Sequence, residues 1–439
     1  MFDLPKYGDG ICLARLAALL DTLSIDRTRL ERRAVVVTGS NGKGSTAAFG
    51  AAIGRAFGLR TGLFTSPHLY RFNERFAING EPVDDTTLAE LVLRIATAIV
   101  DTSRRQHLGQ FGAFEAQFAL ACLAFQEADC DFMVFEAGIG GRYDPVRLVG
   151  AVATGVTSVD LEHVELLGHS LQEIAADKSD ACAAGGSIVY GENLASLRPH
   201  LVEYNRNRQV RSLFVGNEIE IDNEMISAAG QRFDFRFGQH AFAALEPALP
   251  GTFQINNAAV ATAQFLLWLA REQPDADASA IEAAVRAGLS GTVWPGRIEI
   301  IRRKPLTVID VGHTPDGVRQ ALASLKAIHG EDGWILVLGI SRDKNIAEIT
   351  QALAGAFDTI VCTAAHHKGA AAHHIADAAR HAHAEAVIHI AETTEDAVRI
   401  STELAQSMGR KIYVAGGLFA AVEYATIVRG ERVEDLRFF

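Results

Sequence analysis

The sequence predicts an α/β protein built on largely parallel sheets and divided into two domains. Three observations carry this. Strand-like runs alternate with helical patterns along most of the chain. A glycine-rich loop at 38–46 joins an apolar β-branched run to a helix-compatible one. The length of 439 residues exceeds one ordinary core, so two domains are the default.

Taken in order, Leu13, Leu16, Leu20 and Leu23 recur at spacings of three and four, which predicts an amphipathic helix over 11–24. Val35-Val36-Val37 reads as the first strand, and 47–53 as the helix that leaves the glycine loop. Leu63-Phe64-Thr65 reads as a strand running into Ser66-Pro67, a loop over the carboxyl edge of the sheet. Phe132-Met133-Val134-Phe135 is a compact apolar run of the kind buried in a parallel sheet. It ends on Glu136, and ligands gather at the carboxyl ends of such strands. Residues 191–250 read as polar and irregular, and 257–271 as a helix. Ser290-Gly291-Thr292-Val293-Trp294-Pro295-Gly296 has the composition of a hinge. Beyond it, strands are expected near 306–310, 334–338, 359–362 and 411–414, separated by alanine-rich helices. This gives a second, smaller Rossmann-like domain over 294–439, following a first domain over 1–293.

Composition narrows the function. A hydrophobic share of 49% with 21% charged residues is that of a globular soluble protein. The net charge of −12 argues against sequence-independent nucleic-acid binding, which needs concentrated Lys and Arg. No apolar run approaches the ~20 residues of a membrane span, and Met1 to Lys6 lacks the pattern of a secretory leader. Five scattered cysteines without C-x-x-C read as reduced thiols of a cytoplasmic protein. His366-His367 and His373-His374 read as a solvated loop and helix face rather than a metal site.

The loop Thr38-Gly39-Ser40-Asn41-Gly42-Lys43-Gly44-Ser45-Thr46 has the makings of a phosphate cradle. Backbone N–H groups, a helix N-terminus and the Lys43 cation converge on one point. It departs from G-x-x-x-x-G-K-[ST] because Gly44 stands between Lys43 and Ser45. Downstream, Glu136-Ala137-Gly138-Ile139-Gly140-Gly141-Arg142 combines a carboxylate, a tight turn and an arginine. The third glycine of a dinucleotide fingerprint is absent, so an NAD site is discounted. His163 sits among acids in Asp160-Leu161-Glu162-His163, and Lys178 follows in a helical stretch.

In this order the motifs resemble the folylpolyglutamate synthase and dihydrofolate synthase family, within the Mur ligase superfamily. The resemblance spans nearly the whole chain. It takes in the glycine loop, Thr65-Ser66-Pro67-His68-Leu69 with Arg71-Phe72-Asn73-Glu74-Arg75, and Phe114-Glu115. It continues through Glu136, Gly140-Gly141-Arg142, His163, Lys178, Gln254 and Asn257. In the second domain it includes Trp294-Pro295-Gly296-Arg297, Glu299, Asp310, His313, Pro315 and Asp343-Lys344.

The resemblance implies a P-loop-type, parallel-sheet ATP-binding domain followed by the smaller ligase domain. It implies an ATP-dependent amide ligase that adds L-glutamate to a pterin or folate acid through an acyl phosphate. Lys43 and the amides of Asn41, Gly42, Gly44 and Ser45 would hold the phosphates. Ser45, Ser66, Glu136 and His163 would ligate Mg²⁺ at two sites. Lys178 matches a lysine the family carries as a carbamate; the alternative is an unmodified lysine paired with an acid. Asn257 would contact adenine, and Arg297, Asp310 and His313 would reach ATP from the second domain. Phe114, Glu115, Arg142 and Asp144 fall on the acid's side, and a monomer is expected.

Departures cluster on that side. Tyr143-Asp144-Pro145-Val146-Arg147 replaces the usual x-Asp-Ala-Thr-Asn, Phe253 replaces a histidine before Gln254, and Thr314 stands where Asn is usual. A paralogue that activates a different acid therefore stands as the alternative. A non-catalytic nucleotide-binding module would have lost Lys43, Glu136 or His163, and all three are present.

Overall fold

The computed structural model describes residues 4–5, 8–10, 12–105, 108–227 and 229–438. Met1 to Asp3, Lys6 and Ile11, on which the readings of the N-terminus and first helix partly fall, lie outside them. The first domain is organised by an eight-stranded sheet. Its strands are β1 (Ala34–Thr38), β2 (Thr61–Phe64), β3 (Phe76–Ile78), β4 (Glu81–Pro82), β5 (Phe132–Glu136), β6 (Ala153–Val156), β7 (Ser187–Tyr190) and β8 (Arg211–Phe214). Their spatial order is β4-β3-β2-β5-β1-β6-β7-β8, and only β3 and β4 run antiparallel to their neighbours.

The register decides where chemistry can occur. Val37 on β1 pairs with Glu136 on β5, and Thr38 pairs with Val156 on β6. The glycine loop, Glu136 and the turn after β6 therefore leave the sheet at one edge. β1 is buried along its whole length, because helices cover both faces of a parallel sheet. One face packs on the helices Lys43–Ala56, Phe253–Glu272 and Ala278–Ser290, the other on Leu13–Thr22, Asp85–Arg105 and Ala113–Glu127.

The segment read as irregular is ordered. It holds the helix Arg198–Arg206, β8, and a three-stranded antiparallel sheet of β9 (Ile219–Ser227), β10 (Gly230–Phe237) and β11 (His240–Leu245). Ile219, Phe233, Phe235, Phe242 and Leu245 turn one face of that sheet into the core. Register shifts interrupt the pairing of β10 with both neighbours, but β10 itself alternates with Gln231, Phe233 and Phe235 inward, while β9 is exposed over most of its length.

The second domain carries a six-stranded sheet: β12 (Glu299–Arg303), β13 (Leu306–Ile309), β14 (Trp334–Leu338), β15 (Thr359–Thr363), β16 (Val387–Ala391) and β17 (Lys411–Ala415). The order is β12-β13-β17-β14-β15-β16, with β12 an antiparallel edge strand. Four of these strands lie where the sequence places them; β12 and β16 are additional. β13 delivers Asp310 at its carboxyl end, facing the first domain. Among the described residues no helix is long and apolar enough to cross a membrane.

Candidate active site

β1 runs straight into the glycine loop, which turns at Gly42 into the helix Lys43–Ala56. Gly42 has φ +86°, and a Cβ there would lie 2.4 Å from the Asn257 side-chain oxygen. The helix Phe253–Glu272 thus presses directly on the cradle, and only glycine fits at the contact. Gly44 has a separate reason. A Cβ on it would stand 2.9 Å from the indole of Trp294, so the glycine between Lys43 and Ser45 makes room for the interdomain hinge.

The loop is braced from β6. Thr157 and Ser158 hydroxyls donate to the Asn41 carbonyl at 2.5 and 3.0 Å. Asn41 N–H donates to Ser158 Oγ at 2.9 Å, and Asp160 N–H to Ser40 Oγ at 2.9 Å. Lys43 Nζ donates to the carbonyls of Gly39 (2.8 Å) and Ser40 (3.1 Å), which holds its charge over the loop. Ser45 is buried on the first helical turn, where its hydroxyl accepts from Gln254 Nε2 at 3.3 Å. Gln254 in turn accepts from Asn257 at 3.0 Å.

Glu136 lies at the mouth of this cradle and is buried. Burial pushes its carboxyl up to about 7, against the pull of Lys43, the Ser66 N–H, Arg297 and Arg75. Its Oε2 accepts from Ser66 N–H at 2.9 Å, which ties the end of β5 to the loop after β2. A buried carboxylate that nearby cations do not fully compensate is a natural place for a divalent cation. Mg²⁺ takes one or two carboxylates plus phosphate and water oxygens rather than an all-protein cage. Among the described residues no three His, Cys, Asp or Glu side chains cluster as a self-sufficient metal site. Glu136 with the hydroxyls of Ser45 and Ser66 is an oxygen donor set that fits the partial requirement of Mg²⁺.

On the other side of the loop Lys178 is buried, with Nζ 3.0 Å from Glu162 Oε1. Burial pushes the Glu162 carboxyl up, but the Lys178 and Lys43 charges outweigh it and hold it down to about 2. Burial also lowers the Lys178 ammonium, despite the opposing pull of Glu162. His163, next to Glu162, is exposed and left-handed at φ +46°.

The second domain closes over the cradle. Asp310 is buried, and burial raises its carboxyl. It accepts from Gly312 N–H (2.8 Å) and from the N–H of Ile298, just beyond the hinge (3.2 Å). Burial lowers the His313 imidazole to about 4. Thr314 caps the helix Pro315–His329 through Gly317 N–H at 3.0 Å. Its hydroxyl also donates to Asn41 Oδ1 at 3.1 Å, a direct bond from the second domain to the glycine loop. The cleft between them is lined by Asn41, Gly42, Ser45, Phe253, Arg297 and Asp310, with Gln320 at one end.

The residues expected on the acid's side have other partners. Glu115 accepts from the buried Arg15 at 2.8 Å and, at its helix N-cap, from Gly112 N–H at 2.8 Å. Asp144 accepts from Gly138 and Ile139 N–H, each at 2.9 Å, which shapes the turn after Glu136. Arg142 donates to Asp180 at 2.6 Å and to Tyr204 at 3.2 Å. Phe114 is half-buried against Gly138 and Phe64. Thr157 and Ser158 were not singled out from the sequence, and Thr314 stood there only as a departure from the family pattern, with no role. The first two follow directly on β6, and the rule that sites form at strand carboxyl ends points to them.

Comparison with known proteins follows the same outline. The Mur ligase middle domain family matches residues 37–265, and the Mur ligase glutamate ligase domain family matches 296–418. The dihydrofolate synthase/folylpolyglutamate synthase of Bacillus subtilis is 31% identical over 344 residues, 77% of each chain. The folylpolyglutamate synthase of Lacticaseibacillus casei is 31% identical over 358 residues, 81% of each. Mycobacterium tuberculosis folylpolyglutamate synthase, solved with ADP and AMPPCP, superposes with a TM-score of 0.85 at 25% identity, over 96% of both chains. An FPGS–AMPPCP–folate complex superposes with a TM-score of 0.82 at 27% identity, over 97% of both.

Proposed function

The chain belongs to the folylpolyglutamate and dihydrofolate synthase family of Mur ligases, and from that premise we propose how its residues divide the reaction. The protein is an ATP-dependent ligase that joins glutamate to a folate acid. The observation that carries the assignment of roles is the meeting of Lys43, Glu136 and the Glu162–Lys178 pair at one sheet edge, faced by Arg297 and Asp310 across the cleft.

Acyl-phosphate formation brings two anions together, so the protein's contribution is positioning and charge neutralisation. Lys43 and the amides of Asn41 to Ser45 hold the β- and γ-phosphates, with the helix dipole behind them. Asn257, pressed against Gly42, contacts the base. Ser45, Ser66 and Glu136 would hold one Mg²⁺, with His163 as the candidate donor to a second. Such an ion would supply neutralisation of phosphate charge. Lys178 would act either as a carbamate, for which burial favours the neutral amine, or unmodified in the 3.0 Å ion pair it makes with Glu162. A carbamate beside Glu162 sets two anions together, an arrangement that a divalent cation resolves.

Arg297, Asp310 and His313 complete the site from the second domain. Closure through the 290–296 hinge then expels water from an intermediate that water would destroy. Phe114 forms a wall on the acid's side, while Glu115, Arg142 and Asp144 shape the loops around it. The domain boundary is taken at 293/294, and the enzyme is taken as a cytoplasmic monomer. Incubation with Mg-ATP, L-glutamate and either dihydropteroate or tetrahydrofolate should yield a conjugate one glutamyl residue heavier, with release of phosphate. Lys43→Ala should abolish it. Ligation retained in that variant would refute the assigned cradle.

A further inference from the structure

The loop after β2 belongs to the first domain by sequence, yet its far half is packed by the second. Leu69 and Tyr70 lie against the second domain's core around Ile309, Val311, Leu418 and Phe438. The Arg429 guanidinium sits over the Tyr70 ring, 4.6 Å from its centre. The chain's last turn completes the grip. Phe438 is 5% exposed, wedged edge-on against Phe419 with ring centres 4.8 Å apart. The preceding carbonyl, Arg437 O, lies 2.5 Å from His68 Nε2.

His68 is itself buried, and its other nitrogen, Nδ1, accepts from Arg75 Nε at 2.8 Å. A guanidinium can only donate, so Nδ1 carries no proton and Nε2–H donates to Arg437 O. The ring is fixed as one tautomer by partners on both sides. Arg75 is held in turn by Gln117 Oε1 at 3.0 Å and lies within electrostatic reach of Glu136. The same loop begins at Ser66, whose N–H bonds Glu136 Oε2. Two routes, one through Arg75 and one through Ser66, thus run from His68 to the carboxylate.

We propose that His68 is a positioning residue for Glu136, and that docking of the C-terminal segment 433–438 on His68 completes the Ser66–Glu136 arrangement. The second domain thereby signals its closed position to the metal site through a bond between residues far apart in sequence. This inference rests on the assignment of Glu136 and Ser66 to the metal.

The test uses the full chain as wild type, His68→Ala, His68→Gln and Phe438→Ala. Amide exchange of the 64–72 segment reports the Ser66 N–H bond, and Mn²⁺ binding in the presence of ADP reports the site without turnover. Both alanine variants should exchange about tenfold faster in 64–72, with the 38–46 loop unchanged, because only the local opening equilibrium shifts. They should bind Mn²⁺ more weakly and lose kcat more than KM for ATP. Glutamine offers a donor and an acceptor in place of the imidazole's two, so His68→Gln should recover protection. Wild-type exchange and Mn²⁺ affinity in both alanine variants would overturn the proposal. Glu136→Gln separates the two ideas. Unchanged Mn²⁺ binding in that variant removes Glu136 from the metal site, whereas the exchange result still decides whether His68 positions it.

Discussion

Glu115 separates a substrate-binding role from a structural one. Its carboxylate receives the Arg15 guanidinium, whose side chain is 1% exposed, and caps its own helix at Gly112. In Glu115→Ala the buried cation loses its counter-charge, which costs about 3–5 kcal/mol for pairs of this kind. Arg15 keeps the carbonyls of Gly10 (2.7 Å) and Leu108 (3.1 Å), which places the loss at the lower end of that range. Losing the helix cap adds roughly 1 kcal/mol. The expected destabilisation is therefore about 4 kcal/mol. It would be read as a lower urea midpoint for the first domain at unchanged slope. At a temperature where the variant stays folded, its KM for the folate acid should match wild type. A stability loss below about 1 kcal/mol, joined to a KM raised tenfold or more, would refute the structural role.

Thr314→Val removes both a helix cap and the bond to Asn41. It should cost about 1 kcal/mol of second-domain stability and raise KM for ATP, and Thr314→Ser should restore both. An ATP KM unchanged in the valine variant would show that the bond does not matter to the nucleotide. His313 gives a pH signature in the free protein. Its imidazole titrates near 6.5 unfolded and about 4 folded, so the stability held by its neutral form is fully present above 6.5 and drains as pH falls toward 4. Between pH 6.5 and 5, wild type should lose up to about 2 kcal/mol more than His313→Gln. Parallel stability curves for the two proteins would contradict the burial.

What was legible in the sequence was local. The run 132–136 announces a buried parallel strand by its apolar residues and a site by the carboxylate that ends it. Lys43 and its glycines announce a cradle because the chemistry of phosphate binding lies within nine consecutive residues. What stayed hidden depends on distance along the chain. The Arg15–Glu115 pair joins residues 100 apart, and the His68–Arg437 bond joins residues 369 apart. No spacing rule reaches such partners, so Glu115 read as part of a substrate motif rather than as the end of an ion pair. β9 to β11 were obscured for another reason. β9 is exposed over most of its length and β11 buries Phe242 and Leu245 three residues apart, so only β10, with Phe233 and Phe235 inward, carries a period of two. Gly44 was visible as an anomaly, but its cause, the Trp294 ring, comes from the hinge between the domains.

In the proposed mechanism the folate acid is activated as an acyl phosphate at the Lys43–Glu136 site before glutamate attacks. The direct measurement is to supply the acid with oxygen-18 in its carboxylate, together with Mg-ATP and L-glutamate, and to analyse the released phosphate by mass. Attack of the carboxylate on the γ-phosphate, followed by displacement by the amine, leaves one labelled oxygen in each phosphate released. Label recovered in phosphate in step with glutamyl product is the predicted result. Unlabelled phosphate alongside normal ligation would contradict it.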